Sequence, residues 1–105
     1  MLATNARELK QLLEGTGLPV YYGTARGQVM PPYLVYLGAG QHTMPADNTL
    51  YWRGGSYQIE YYFMLKNEST EADIEDALLG AGLIYEKSED VYISDAEAYV
   101  IYYTI

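Results

Sequence analysis

Cysteine is absent from this chain, histidine occurs once, and only six lysines and arginines stand against fourteen acidic residues. Without cysteine there is no disulfide framework and no thiolate metal site, a usage that fits synthesis in a reducing compartment. A single histidine, His42, excludes paired-histidine metal sites and the HExxH pattern. No G-x-S-x-G elbow and no thiol nucleophile is available, so a small hydrolase with His42 as general base would need a convergent polar site that the sequence does not show. Glycines pair at 15/17, 38/40, 54/55 and 80/82, yet none completes G-x-G-x-x-G or a P-loop, and they read as helix stops and turns. The formal charge of −8 argues against a phosphate-gripping surface, because the few basic residues are scattered. Excess acid suits solubility at high copy number, or the lining of a passage through which DNA slides without sticking. Long apolar runs are also missing. The densest, Tyr57 to Leu65, is interrupted by Gln58 and Glu60 and is too short to span a bilayer as a helix. Met1 to Arg7 lacks the pattern of a secretory signal, and Asn67-Glu68-Ser69 matches a glycosylation acceptor that matters only in a secretory compartment. These absences predict a protein that is not an enzyme, uses no cofactor or metal, and engages neither membrane nor a specific nucleic-acid sequence.

What the chain has is tyrosine, thirteen against one phenylalanine. A large apolar ring carrying a hydroxyl suits a surface that is wet at one time and covered at another, which points to an assembly subunit. Tyrosine is also a good strand former, so part of the count belongs to an ordinary sheet.

A chain of 105 residues makes one domain, here 1–105, and buries about 60–70% of its unfolded surface. From Asn5 to Glu14, Ala6, Leu9, Leu12 and Leu13 recur at helical spacing, with Asn5 and Glu8 as a capping pair and Gly15-Thr16-Gly17 as the stop. A short strand follows over Leu18 to Tyr22, with Pro19 placed as at a strand start or an edge. Tyr33 to Gly38 is apolar on both parities, as a central strand would be. Residues 40–50 form a polar, mobile loop carrying His42, Met44, Asp47 and Asn48, with Trp52 as a contact anchor beside it. The next strand alternates clearly: Tyr57, Ile59, Tyr61, Phe63 and Leu65 on the core face, and Gln58, Glu60, Tyr62, Met64 and Lys66 on the other. A second helix is capped by Ser69 or Thr70 and buries Ile74, Ala77, Leu78 and Ala81. Strands over Leu83 to Ile93 and Ala98 to Ile105 close the chain as a hairpin through Ser94 to Glu97.

The order α-β-β-β-α-β-β is that of an α+β domain: about five strands, mostly antiparallel, with two helices packed on one face. Two short helices leave the second face, assigned Tyr36, Tyr62 and Tyr102, open as a protein interface. The carboxylates Glu71, Asp73, Glu75 and Asp76 read as a solvated helix face. Helical spacing puts Glu71 and Glu75 together but leaves Asp73 off, and the run lacks the glycine turn of a calcium loop.

Thr16-Gly17-Leu18-Pro19-Val20-Tyr21-Tyr22-Gly23, the Pro-Pro-Tyr-Leu-Val-Tyr run at 31–36, Ala46-Asp47-Asn48 before Tyr51-Trp52, and Tyr57 to Tyr62 together resemble small morphogenesis proteins of tailed phages and prophages. So does the ending, where Gly82 to Lys87 leads to a tyrosine-rich last strand. The group most similar is the tail completion, or tail terminator, proteins at the head–tail junction. The resemblance covers nearly the whole chain and rests on packing signatures, not on chemistry. It implies a subunit that closes into a hexameric ring, caps the tail tube and meets the head-completion or connector protein. Its partners are then copies of itself, the tube protein and the connector. Its place is the virion neck, after assembly in host cytoplasm. The interface residues on this reading are His42, Met44, Asp47, Asn48 and Trp52 in one patch, and Tyr36, Tyr62 and Tyr102 in the other. The competing reading is a small acidic inhibitor, or nucleic-acid mimic, that occupies a basic protein surface.

Overall fold

The computed structural model describes residues 5–25, 27, 29–40 and 56–105. The candidates His42, Met44, Asp47, Asn48 and Trp52, and the loop residues 41–50, lie outside the described residues.

Helix α1, Ala6–Glu14, starts where the Asn5 side chain accepts the Glu8 backbone N–H at 2.8 Å, and ends at Gly15 with Gly17 beyond it at φ +88°. A Cβ at that φ is strained, so glycine serves the exit turn. Strand β1, Val20–Tyr22, lies at one sheet edge and runs parallel to β2, Tyr33–Gly40, pairing Val20 with Leu34 and Tyr22 with Tyr36. Strand β3, Ser56–Phe63, is antiparallel to β2. Helix α2, Glu68–Gly80, follows; β4, Glu86–Lys87, β5, Val91–Ile93, and β6, Ala98–Thr104, complete the fold. The sheet order is β1-β2-β3-β6-β4, with β5 also paired to β6, so this is an α+β fold with a six-stranded, mostly antiparallel sheet.

The stretch expected as one strand over Leu83 to Ile93 is two short ones on the same flank of β6. Between them Ser88 holds the ladder, donating its backbone N–H to the Tyr102 carbonyl and accepting the Tyr102 N–H on its Oγ, each at 2.9 Å. The β5–β6 turn falls at Ser94 to Glu97 as expected, with Glu97 at φ +52°. The cap of α2 is Asn67, two residues before Ser69 and three before Thr70. Its side-chain oxygen accepts the N–H groups of both Ser69 and Thr70, satisfying two of the otherwise unpaired donors of the first turn.

Both helices pack on one sheet face. Leu9 and Leu13 of α1 and Ile74 and Leu78 of α2 join Leu34, Tyr36, Ile59, Tyr61, Phe63, Ile101 and Tyr103 in a single buried cluster. Two assignments change here. Tyr36 stands opposite Ile59 in the β2–β3 register, so it points under the helices and is only 6% exposed, not on the open face. Because β2 is apolar on both parities, alternation within it marks no face; only pairing to β3 does. Leu65 is 84% exposed, because β3 ends at Phe63 and the chain bends before the pleat returns it to the core.

Candidate functional site

The register places Tyr21 and Tyr33 of the first two strands, Gln58, Glu60 and Tyr62 of β3, and Tyr102 and Thr104 of β6 on the second sheet face. Among the described residues no helix lies over it. Tyr62 stacks on Tyr33 with ring centres 4.9 Å apart and planes 20° from parallel, while Tyr21 meets Tyr33 edge-on at 5.8 Å. The Tyr62 hydroxyl donates to Glu60 Oε1 at 2.8 Å, and Gln58 Nε2 donates to Glu60 Oε2 at 3.0 Å. Tyr102 is the cross-strand partner of Glu60. All of these side chains are half-buried.

The geometry favours the neutral phenols of Tyr33 and Tyr62. Burial, the hydrogen bond to Glu60 and its charge push the Tyr62 hydroxyl well above its ordinary range, and burial followed by the Glu60 charge raises Tyr33. The result is an aromatic surface around one oriented carboxylate. Each Glu60 oxygen is held by a neutral donor, and a carboxylate oxygen has a second lone pair that can accept a further partner.

At the sheet end nearest the β5–β6 turn an aromatic ladder climbs out of the core. Tyr61 stacks on Phe63 at 5.1 Å, Phe63 on Tyr99 at 5.5 Å, and Tyr92 meets Tyr99 edge-on at 5.2 Å. The first two rings are buried and the last two exposed. With Met64, Leu65, Lys66 and Asp90, the rings of Phe63 and Tyr99 line an open groove of about 450 Å³. Apolar groups gathered in this way mark a contact surface more often than scattered ones do.

A second polar cluster, on α2 and β4, is structural. Glu71 and Glu75, expected on a solvated helix face, share one face as their spacing requires, but that face turns to the sheet, and Glu71 is only 4% exposed. Lys66 Nζ lies 2.7 Å from Glu71 Oε2, an ion contact and not an aligned hydrogen bond, and 3.1 Å from Asp90. Lys87 of β4 reaches Glu71 at 3.0 Å and Glu75 at 2.8 Å, and the Tyr103 hydroxyl donates to Glu75 at 2.8 Å. Burial alone would raise the Glu75 carboxyl, but the bonds from Lys87 and Tyr103 outweigh it and hold the group below its ordinary range. Desolvation likewise opposes the Lys87 charge, and the two carboxylates overcome it, so its ammonium is held above its ordinary range. The cluster ties the two-residue strand β4 to α2; its carboxylates are already neutralised by lysine.

No protein-family model, no curated protein and no solved structure matches the chain.

Of the residues singled out from sequence, the structure brings Tyr62 and Tyr102 to one face and separates Tyr36 from them. Sequence reasoning passed over Glu60, although its alternation with Tyr62 was visible, because a glutamate on a strand reads as a solvent-facing residue. Tyr21 and Tyr33 carried no sequence signal for this face; their place depends on the parallel β1–β2 pairing and on the β2–β3 register. Among the described residues, no helix is long and apolar enough to cross a membrane.

Proposed function

We propose that this chain is a structural subunit of a tailed-phage particle, of the tail-completion or tail-terminator kind, that assembles as a hexameric ring at the end of the tail tube and meets the head connector. The observation that carries the reading is the second sheet face, where tyrosines 21, 33, 62 and 102 lie half-buried with no helix above them among the described residues. Half-buried tyrosines lose little side-chain entropy when covered and bring both apolar area and a hydroxyl, as interfaces between subunits require. A second, chemically different patch, the Met64–Leu65–Tyr92–Tyr99 end, supports a subunit that touches unlike neighbours. In the virion neck that end would meet the tube or the connector.

Static light scattering over a concentration series, with and without purified tail tubes, tests this. Discrete particles near six subunits, or binding confined to tube ends, are expected. A monomer at every concentration that ignores tubes refutes it, and then the net charge of −8 favours the acidic inhibitor, which would instead capture one basic protein in stoichiometric complex.

A further inference from the structure

The tyrosine face holds a carboxylate that no described cation neutralises. Glu60 accepts from Gln58 and Tyr62, both neutral, and makes no ion pair among the described residues. Of the described cations, Lys66 and Lys87 are engaged by Glu71, Glu75 and Asp90, and Lys10 lies 3.8 Å from Glu14. Arg7 alone has no ion-pair partner among the described residues, and it is exposed on α1. Helix α1 packs on the sheet face opposite Glu60, so the anion and the cation of one copy lie on opposite sides of the molecule and cannot meet.

Resting on the ring reading above, we propose that Glu60 receives Arg7 of a neighbouring copy. A guanidinium suits this place for two reasons. Its planar fork can pair with an oriented carboxylate, and its flat faces stack on tyrosine rings such as the Tyr33–Tyr62 pair. Because the two halves sit on opposite sides of the sheet, the contact is heterologous. Each copy offers its tyrosine face to one neighbour and α1 to the next, which propagates round a ring and does not close as a two-fold dimer.

The test is charge reversal in the full chain, with assembly read by light scattering and native mass spectrometry. R7E, on an exposed helix position, and E60R are each expected to raise the concentration for half-assembly by about tenfold or more, the loss of one desolvated charge pair. The combined variant E60R/R7E, which restores opposite charges across every contact, is expected to recover assembly. Should E60R not fold by circular dichroism, E60Q replaces it: E60Q and R7E then each weaken assembly, and together weaken it no more than either alone. Wild-type rings with single variants that assemble unchanged overturn this contact and leave the ring reading standing. Singles that weaken assembly with no recovery in E60R/R7E overturn the pairing of these two residues. A wild-type chain that never assembles, with or without tubes, removes both.

Discussion

Replacing Lys87 by methionine keeps the length of the side chain and removes the charge that joins β4 to α2. Glu71 Oε1 then loses its 3.0 Å partner and Glu75 its 2.8 Å partner, and two carboxylates one helical turn apart face each other with only Lys66 nearby. Breaking a buried ion pair from one side costs about 3–5 kcal/mol, because the abandoned charge stays desolvated. Here the Glu71 side chain is 5% exposed but that of Lys87 is 35% exposed, and Lys66 remains, so solvent and the second lysine soften the loss. We expect about 2 kcal/mol at neutral pH, equivalent to a fall of roughly 8–16 °C in Tm for a domain of this size. The pH dependence separates this cause from lost packing. The folded Glu75 carboxyl is held below its ordinary value, so its contribution is present above about pH 4.3 and lost as pH falls through the folded value. The Lys87 ammonium is held above its ordinary value, so its share is full below about pH 10.4 and lost as pH rises through the higher folded value. The gap between K87M and wild type, measured by urea unfolding followed by circular dichroism, is therefore largest from about pH 5 to 10 and narrows in acid. A gap below about 0.5 kcal/mol at pH 7, the scatter of surface substitutions, or one that persists unchanged in acid, refutes the reasoning.

Three further outcomes follow from the same geometry. Tyr103→Phe removes the hydroxyl that donates to Glu75 from a ring with no exposure, and is expected to cost about 1–2 kcal/mol in urea unfolding, whereas Tyr92→Phe, exposed at the β5–β6 turn, is expected to change stability by less than about 0.5 kcal/mol. Asn67→Ala is expected to cost about 1 kcal/mol while Ser69→Ala costs little, because Asn67 caps α2; equal effects would place the cap elsewhere. The phenols of Tyr62 and Tyr103 are pushed well above their ordinary range, by burial first and then by the carboxylate each bonds, so the fold favours their neutral form. Their stabilising effect is complete below about pH 10 and lost above it, and ultraviolet titration should show both ionising only with alkaline unfolding; early ionisation of all tyrosines would contradict the two bonds.

Much of the architecture was legible because it is written in local pattern. The α1 stripe with its Asn5 cap, the alternation of Tyr57 to Phe63 and the turn at Ser94 to Glu97 each concern residues close in the chain, where helical or strand period alone decides which side a residue takes. The candidate site was only half legible. Tyr62 and Tyr102 emerged from alternation, but Glu60 was passed over and Tyr36 was assigned to the wrong face.

The difference is one of range. Composition determined that no cysteine or multi-histidine chemistry exists in this chain, and that tyrosine and acid dominate its surface options. Local pattern determined two helices and an α+β order. Tertiary structure decided that β1 runs parallel to β2, that Tyr36 faces Ile59 under the helices, that Glu71 is buried between two lysines, and that Tyr21, Tyr33, Tyr62 and Tyr102 share a face with Glu60. Strand register moves every side chain of a strand from one face to the other with a shift of one residue, and it is set by contacts between distant segments, so no single stretch of sequence contains it.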